Sequence, residues 1–372
     1  MHSYKVLSLF SGAGGLDLGF EQVGFSHLEL VEIDDHCVAT INANRPQWNI
    51  FHGDISLYKP IHRNIDILIG GPPCQGFSLG GNRNESDPRN RLFLEMTRIA
   101  KITNPRVIVI ENVLNLRTMK APWSGKYFAD EIYDNFKKIG YSVKFDTFKV
   151  SFYGVPQTRR RFVFIAVKGD FPKGYELPTP DLKETTIRKY LEDISTLNTN
   201  NIPNHNPEWG FQSRVHRNRR SLKVENIKNP VPIRISRTGS DGNPIRSFDE
   251  PFPAIDTATV WGWAAGNVKA QREKKDRTNG KYIRNPDTDL KLWRIDADEM
   301  RTFTHREYAR LQTFPDDWVF YGNNKRDIQK QVGNAVPVEF ARRVGVNVYK
   351  LFRSLETNSE FMSDRIQVSL EL

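Results

Sequence analysis

Cysteine is scarce in this sequence, with two residues in 372. A chain with so few thiols has neither a disulfide framework nor a cysteine-rich zinc site, and we expect a reduced, cytoplasmic protein. No apolar run approaches the roughly 18 residues of a membrane span. The first predicted strand begins at Tyr4, which leaves no room for a secretory signal, so we expect no contact with a membrane.

Acidic residues are outnumbered by basic ones, 44 against 54, which gives a net charge of +10. The apolar share of 38% and the charged share of 26% are typical of a soluble globular protein. The length suits two domains, or one large domain with an insertion. An excess of positive charge favours a polyanionic partner such as nucleic acid, although many basic proteins bind none.

The N-terminal segment predicts a strand, a glycine-rich turn and a helix. Residues 4–10 form an apolar run, residues 11–15 read Ser-Gly-Ala-Gly-Gly, and residues 16–23 have helical periodicity. Such a turn offers free backbone N–H groups to a nucleotide-like ligand. The sixth position of the dinucleotide fingerprint would require glycine and here is Asp17. At this point a nicotinamide or flavin oxidoreductase remains an alternative.

Carboxylates follow several of the predicted strands. Glu32 lies 20 residues after Gly12, where a carboxylate can reach ribose hydroxyls. Asp54 and Glu111 follow the third and fifth strands. Alternation of strands and helices predicts a doubly wound, mostly parallel α/β sheet with its site at the carboxyl ends of the strands.

The fourth strand ends in an unusual loop, Gly-Gly-Pro-Pro-Cys-Gln-Gly-Phe-Ser, over residues 70–78. Proline fixes φ and removes a hydrogen-bond donor, and glycine allows a sharp turn, so the strand must stop here. Cys74 is therefore presented on a stiff loop at the same edge of the sheet as Glu111. Cys37 lies in an apolar helix and is expected to be structural.

The chain changes character after residue 168. We predict strands over residues 141–150 and 162–167, then helices over 182–194, 304–313 and 338–351. Lys and Arg outnumber acids nine to two over residues 211–246, and seven to two over residues 268–284. Trp261, Trp263 and Tyr282 are interleaved with these basic runs, which is typical of phosphate contacts and base stacking.

Taken together, these segments resemble the C5-cytosine-specific DNA methyltransferase family, of the bacterial modification type. Its ordered motifs match residues 9–15, Glu32, residues 53–55, 71–78, 111–113, 157–161, 304–312 and 331–337. The resemblance implies an S-adenosylmethionine-dependent methyltransferase fold with an inserted, smaller, irregular β-rich domain. It also implies a catalytic domain over residues 1–195 and 328–372, a target-recognition domain over 196–300 and a hinge over 301–327.

The resemblance implies covalent catalysis. Cys74 would add to carbon 6 of a flipped-out cytosine, Glu111 would donate a proton to ring N3, and Arg159 and Arg161 would favour the thiolate. If residues 157–161 were a strand, its alternation would put both arginines on one face.

The family pattern also implies contacts to cofactor and DNA. The residues expected to bind S-adenosylmethionine are Phe10, Gly12, Gly14, Glu32, Ile33, Asp54, Ile55, Pro72, Leu92, Asn334 and Val336. Those expected to contact DNA are Gln75, Ser78, Arg89, Arg234, Arg237, Thr259 and Val260. Metal is not expected.

The expected partner is double-stranded DNA, with a cognate restriction endonuclease acting on the same site without direct contact. The protein is expected to be a monomer. Two alternatives within the family remain: a tRNA cytosine-5 methyltransferase and a catalytically silent DNA-binding homologue. The size and basic charge of residues 196–300 favour DNA over tRNA.

Overall fold

The structure is a computed structural model. It describes residues 3–73, 91–195, 225–234, 246–257, 260–274, 291–296 and 299–363, together with Ile202 and His205.

The main sheet has seven strands in the order β3-β2-β1-β4-β5-β7-β6. In chain order these are β1 Lys5–Leu9, β2 Ser26–Glu32, β3 Ile50–His52, β4 Ile67–Gly70, β5 Val107–Val113, β6 Tyr141–Lys149 and β7 Arg160–Lys168. The first five pair in parallel, and β7 pairs antiparallel with both β5 and β6. The predicted doubly wound, mostly parallel sheet is confirmed.

The helices are α1 Gly15–Glu21, α2 Asp35–Asn44, α3 Phe93–Thr103, α4 Phe128–Lys138, α5 Arg188–Leu191, α6 His305–Leu311, α7 Lys325–Asn334 and α8 Val338–Thr357. Helices cover both faces of the main sheet. On one face Val107 and Val109 of β5 join a core that includes residues of α1 and α8. On the other, Ile108 and Ile110 join a core with residues of α3 and α4. Successive strand residues point to opposite faces, so one strand contributes to both cores.

A second, smaller sheet is antiparallel. Its strands are β8 Glu225–Arg234, β9 Trp261–Lys274, β10 Lys291–Asp296 and β11 Glu299–Thr302, and the other three all pair with β9. Trp261 and Trp263 of β9 are buried together with Phe252, Phe303 and Tyr308, the last of these on α6. Two of the aromatics expected to stack on bases thus form a core between this sheet and α6.

The predicted helix over residues 182–194 is wrong in extent, because the structure has only α5, Arg188–Leu191. The backbone N–H of Thr185 donates to the carbonyl of Ser151, and that of Ile187 donates to the carbonyl of Glu250. Leu182 is fully exposed and so contributes no apolar contact to a helix. Backbone bonding to neighbouring segments therefore replaces the first two turns of the predicted helix.

No helix within the described ranges has the length and apolar character needed to cross a bilayer.

Candidate active site at the carboxyl edge of the parallel sheet

The turn between β1 and α1 has left-handed backbone conformations at Phe10 (φ 58°), Gly12 (φ 56°) and Gly14 (φ 82°). A Cβ on Gly12 would meet nothing within 4 Å, so this backbone lies open to a ligand. A Cβ on Gly14 would lie 3.1 Å from the Trp318 ring. One on Gly15 would lie 2.2 Å from the Val336 carbonyl oxygen. The C-terminal segments therefore pack directly against the turn.

Glu32, at the end of β2, is bonded to this turn. Its Oε2 accepts from the Gly12 N–H (2.7 Å), and its Oε1 accepts from the N–H groups of Ile33 and Asp34, both at 2.9 Å. Burial raises the pKa of Glu32, and the three backbone donors act in the opposite direction. Beside it, the apolar side chain of Ile33 is 63% exposed. A carboxylate and an exposed apolar side chain thus stand next to the open glycine.

Asp54 follows β3, the strand that pairs with β2. Its carboxylate accepts from the Ser56 N–H (2.8 Å) and caps a short 3-10 turn over residues 55–57. Hydrogen bonds from Ser56 lower the pKa of Asp54 below its ordinary value of 3.8, so it is ionised at neutral pH. Ile55 is buried beneath it. The N–H of Gly53 donates to the Glu32 carbonyl, which links the two acid-bearing strand ends.

The other residues expected to bind the cofactor differ in exposure. Asn334 is exposed at the end of α7, whereas Val336 is buried. Pro72 is buried, and its carbonyl accepts from the Asn112 side-chain amide (3.2 Å). Leu92 is partly buried against the core on the α3 side.

Glu111 and Arg161 form a buried ion pair on the adjacent strands β5 and β7. Arg161 Nε lies 2.6 Å from Glu111 Oε1, and the two side chains are 12% and 11% exposed. Burial raises the pKa of Glu111 above its ordinary 4.5, while the nearby guanidinium opposes that rise. Burial likewise lowers the pKa of Arg161. Burial and the guanidinium therefore act in opposite directions on the Glu111 carboxyl, and burial is the larger effect.

The loop that leads to Cys74 begins beside this pair. A Cβ on Gly71 would lie 3.5 Å from Glu111 Oε2. Residues 74–90 lie outside the described part of the chain, so the structure does not test the expected roles of Cys74, Gln75, Ser78 and Arg89.

Arg159 does not share a strand face with Arg161, because β7 begins at Arg160. It is buried, and its Nη1 donates to the carbonyls of Gly333 (2.7 Å) and Ile255 (3.4 Å). This arginine therefore holds the C-terminal motif against the segment that precedes β9. Its expected action on the thiolate stays a prediction.

The expected DNA-reading residues are mostly beyond what the structure describes, as Arg237 and Thr259 are both outside its ranges. Arg234 lies in β8 with its guanidinium carbon 5.8 Å from the centre of the Trp261 ring. Val260 is partly buried immediately before β9.

Two groups of buried polar residues that support the site were not predicted from the sequence. Gln157 and Gln312 are buried and hydrogen-bonded to each other (2.9 Å), and Gln312 also donates to the Val332 carbonyl. In the second group, Glu307 accepts from Arg301 Nη1 (2.9 Å) and from Trp263 Nε1 (2.6 Å). The glutamines lie within matched motifs, but nothing in their spacing identifies their partners.

These features define the class of protein. The chain belongs to the C-5 cytosine-specific DNA methylase family, whose model matches residues 4–350. Membership of this family excludes the oxidoreductase alternative and confirms the family that the motifs predicted. The family and the methyltransferase fold imply use of S-adenosylmethionine.

Among curated proteins, the chain is 34% identical to Type II methyltransferase M1.HphI of Haemophilus parahaemolyticus, over 94% of this chain and 87% of that one. It is 31% identical to M.NgoMIV of Neisseria gonorrhoeae, over 94% and 98% of the two chains.

Solved structures show the same fold at lower identity. A DNA modification methyltransferase from an Escherichia coli prophage aligns with a TM-score of 0.61 and 23% identity, over 94% of this chain and all of that one. The Entamoeba histolytica methyltransferase EhMeth aligns with a TM-score of 0.58 and 16% identity, over 95% and 99% of the two chains.

Proposed function

We propose that this protein is a DNA (cytosine-5-)-methyltransferase that modifies one cytosine within a specific duplex sequence. The observation that carries the proposal is the buried Glu111–Arg161 pair, which lies beside Gly71 at the base of the loop bearing Cys74. The glycine turn and Glu32 lie at the same edge of the sheet. The ion pair and this turn both lie at the carboxyl ends of the parallel strands, where we expect the target base and the cofactor to meet.

The residues at the edge of the sheet fit S-adenosylmethionine. The open backbone at Gly12 admits the ligand, the Glu32 carboxylate can accept from ribose hydroxyls, and exposed Ile33 can cover the adenine. Asp54 is ionised and can accept from the adenine amine. The remaining cofactor contacts are proposed for Phe10, Gly14, Ile55, Pro72, Leu92, Asn334 and Val336. When bound, the cofactor supplies an electrophilic methyl group.

Cys74 is proposed as the nucleophile, because carbon 5 of cytosine is itself a poor nucleophile. Addition of the thiolate to carbon 6 makes an enamine whose carbon 5 can be methylated, and loss of the C5 proton then expels the sulfur. A free thiol is only a few per cent ionised at pH 7, so the cations Arg159 and Arg161 are proposed to favour the thiolate.

Glu111 is proposed to donate a proton to ring N3, which makes carbon 6 more electrophilic. Donation requires the protonated carboxyl, and burial already raises the pKa of Glu111 in that direction. A base entering the cleft excludes more water and favours the protonated form further. Arg161 keeps the carboxyl oriented toward the cleft through the 2.6 Å contact.

The target cytosine is buried in duplex DNA, so it must be flipped out at a cost of a few kcal/mol. Gln75, Ser78 and Arg89 are proposed to contact the DNA around the extruded base. Sequence choice is proposed to lie in residues 196–300, through Arg234, Arg237, Thr259, Val260 and their neighbours. Residues 301–327 would connect this domain to the catalytic domain, 1–195 and 328–372.

Because its relatives include proteins named Type II methyltransferases, the protein is proposed to protect DNA from a cognate restriction endonuclease. It is proposed to do so as a monomer and without contacting the nuclease. A chain that modifies bacterial DNA works in the cytoplasm, where that DNA is.

The test is bisulfite sequencing of DNA and tRNA from a methylase-deficient host that expresses the wild type, Cys74→Ala or Cys37→Ala. We expect one DNA motif to be modified by the wild type and by Cys37→Ala, since Cys37 is a buried thiol whose pKa is raised by burial. Cys74→Ala should lose all methylation. Modification of tRNA with unmodified DNA would contradict the proposal.

A further inference from the structure

A small hairpin follows the catalytic strand directly. β5 carries Glu111 and ends at Val113, and a 3-10 turn over residues 114–117 leads into the hairpin, residues 118–127. Lys120 and Tyr127 are bridged in antiparallel fashion, and the Ala121 N–H donates to the Lys126 carbonyl (2.8 Å). Buried Leu116 and Ala121 fix its base. The segment is therefore an ordered projection from the edge of the active site.

The exposed face of this segment is aromatic and basic. Trp123 and Tyr127 are 39% and 44% exposed. The Arg91 guanidinium lies 4.8 Å from the centre of the Trp123 ring, and Lys120 Nζ lies 5.5 Å from that of Tyr127. Residues 112–129 contain no Asp or Glu. Lys126 is paired with Asp134 of α4 (2.6 Å), so the net positive charge comes chiefly from Arg91, Arg117 and Lys120.

The hairpin lies close in the chain to Glu111, the residue proposed to contact the target base. Arg117 is six residues from Glu111, so the two Cα atoms are at most ~20 Å apart. Duplex DNA carries one negative charge per ~1.7 Å of its axis. A duplex whose flipped base reaches Glu111 therefore has many phosphates within reach of Arg117 and Lys120.

We propose that residues 114–127 together with Arg91 form a phosphate-contact surface for the duplex that flanks the target cytosine. This inference rests on the proposed function and assigns part of the DNA interface to the catalytic domain, outside residues 196–300. Lysine and arginine neutralise the backbone there, and the aromatic rings hold their side chains in place. Contacts of this kind add affinity without reading sequence.

The test compares two double variants with the same change in charge. Arg117→Ala/Lys120→Ala removes two exposed cations from the proposed surface. Lys5→Ala/Lys101→Ala removes two exposed cations from the opposite edge of the sheet, at the start of β1 and in the last turn of α3. Affinity for cognate and non-cognate duplexes is measured across a range of salt concentrations, with S-adenosylmethionine affinity as the check on folding.

We expect the first variant to bind both duplexes about 5- to 50-fold more weakly at 0.1 M salt, with the log–log salt slope reduced by about 1–2. The control should stay within about twofold of wild type, and both variants should methylate the original motif. Equal slopes for the two variants would overturn the inference, as would a loss confined to the cognate duplex. If the wild type binds and methylates DNA, either of these two results refutes the proposed phosphate-contact surface and leaves the proposed function standing. A wild type that does neither refutes the proposed function as well.

Discussion

Replacing Arg161 with Met should leave the Glu111 carboxyl buried without its cation. In the wild type the two groups are 2.6 Å apart and about one-tenth exposed. Removal of one partner from a buried ion pair costs about 3–5 kcal/mol of stability. Glu111 can avoid part of that cost by binding a proton, because burial already raises its pKa and Arg161 opposes the rise. The loss of stability should therefore depend on pH.

The sign follows from proton binding. The folded-state pKa of Glu111 lies above its ordinary 4.5, so between these two values the folded chain binds more protons than the unfolded chain. Stability contributed by Glu111 is present below 4.5 and is lost as pH rises through the folded pKa. Without Arg161 that pKa is higher, and the loss continues to higher pH. The difference from wild type should widen by up to about 1.4 kcal/mol per pH unit.

Urea unfolding at pH 4.5, 6 and 8, a series that begins at the ordinary pKa of the carboxyl, measures this difference directly. The matched control is Arg161→Met/Glu111→Gln, which has no carboxyl at this position to titrate, so its loss of stability relative to wild type should not grow as pH rises. A single variant whose loss of stability is the same at all three pH values would refute the reasoning. So would a double variant that retained the pH dependence of the single one.

Three further changes test the supports of the site. Gly15→Ala would place a Cβ 2.2 Å from the Val336 carbonyl, so calorimetry should show at least ~10-fold weaker S-adenosylmethionine binding, a loss of about 1.4 kcal/mol. Gly24→Ala is strained by its φ of 102° but meets no neighbour within 4 Å, so it should lose some stability and still bind the cofactor normally. Arg159→Lys should weaken cofactor binding too, because a lysine lacks the guanidinium geometry that reaches the Gly333 carbonyl; unchanged affinity would contradict that role. Trp263→Phe removes the donor to Glu307 and should lower the free energy of unfolding by about 1–3 kcal/mol. Trp123→Phe changes an exposed side chain and should lower it by under ~0.5 kcal/mol. Equal losses would argue against a stabilising role for the Trp263–Glu307 hydrogen bond.

The edge of the sheet was predictable because strands β1 to β5 are short apolar runs with glycines or acids at or near their carboxyl ends. The sequence predicts that Glu111 follows the fifth strand, whereas in the structure β5 continues to Val113. Glu111 is therefore a strand residue, which places it opposite β7 and within reach of Arg161. Polar residues at a strand end look like a loop in the sequence, yet here they pair with a neighbouring strand.

Helix α4 was not predicted, although its signal is present. Phe128, Ile132 and Phe136 recur at intervals of four residues and are buried, while three of the six residues between them are acidic. By contrast, the helix predicted over residues 182–194 fails because its backbone donors serve other segments. Local periodicity therefore predicts the strands and helices of the main sheet more reliably than the helices of the segment that follows it.

The partners of Arg159 could not have been predicted by any local pattern. Its carbonyl acceptors, Ile255 and Gly333, lie 96 and 174 residues further along the chain. The same holds for Trp318, which packs against Gly14 from the far end of the sequence. Motif matching identifies which residues belong to the site, whereas the fold decides which of them touch.

The central claim is that Cys74 attacks carbon 6 of a cytosine in DNA. The most direct measurement is mass spectrometry of the protein after reaction with a cognate duplex that contains 5-fluorocytosine. In the presence of S-adenosylmethionine, carbon 5 then carries both fluorine and the transferred methyl group and has no proton to lose, so the sulfur cannot be expelled and the adduct should persist. We predict a peptide in which Cys74 is bonded to the modified nucleotide, and no such peptide from Cys74→Ser. Methylation of ordinary DNA without any adduct at Cys74 would contradict the account.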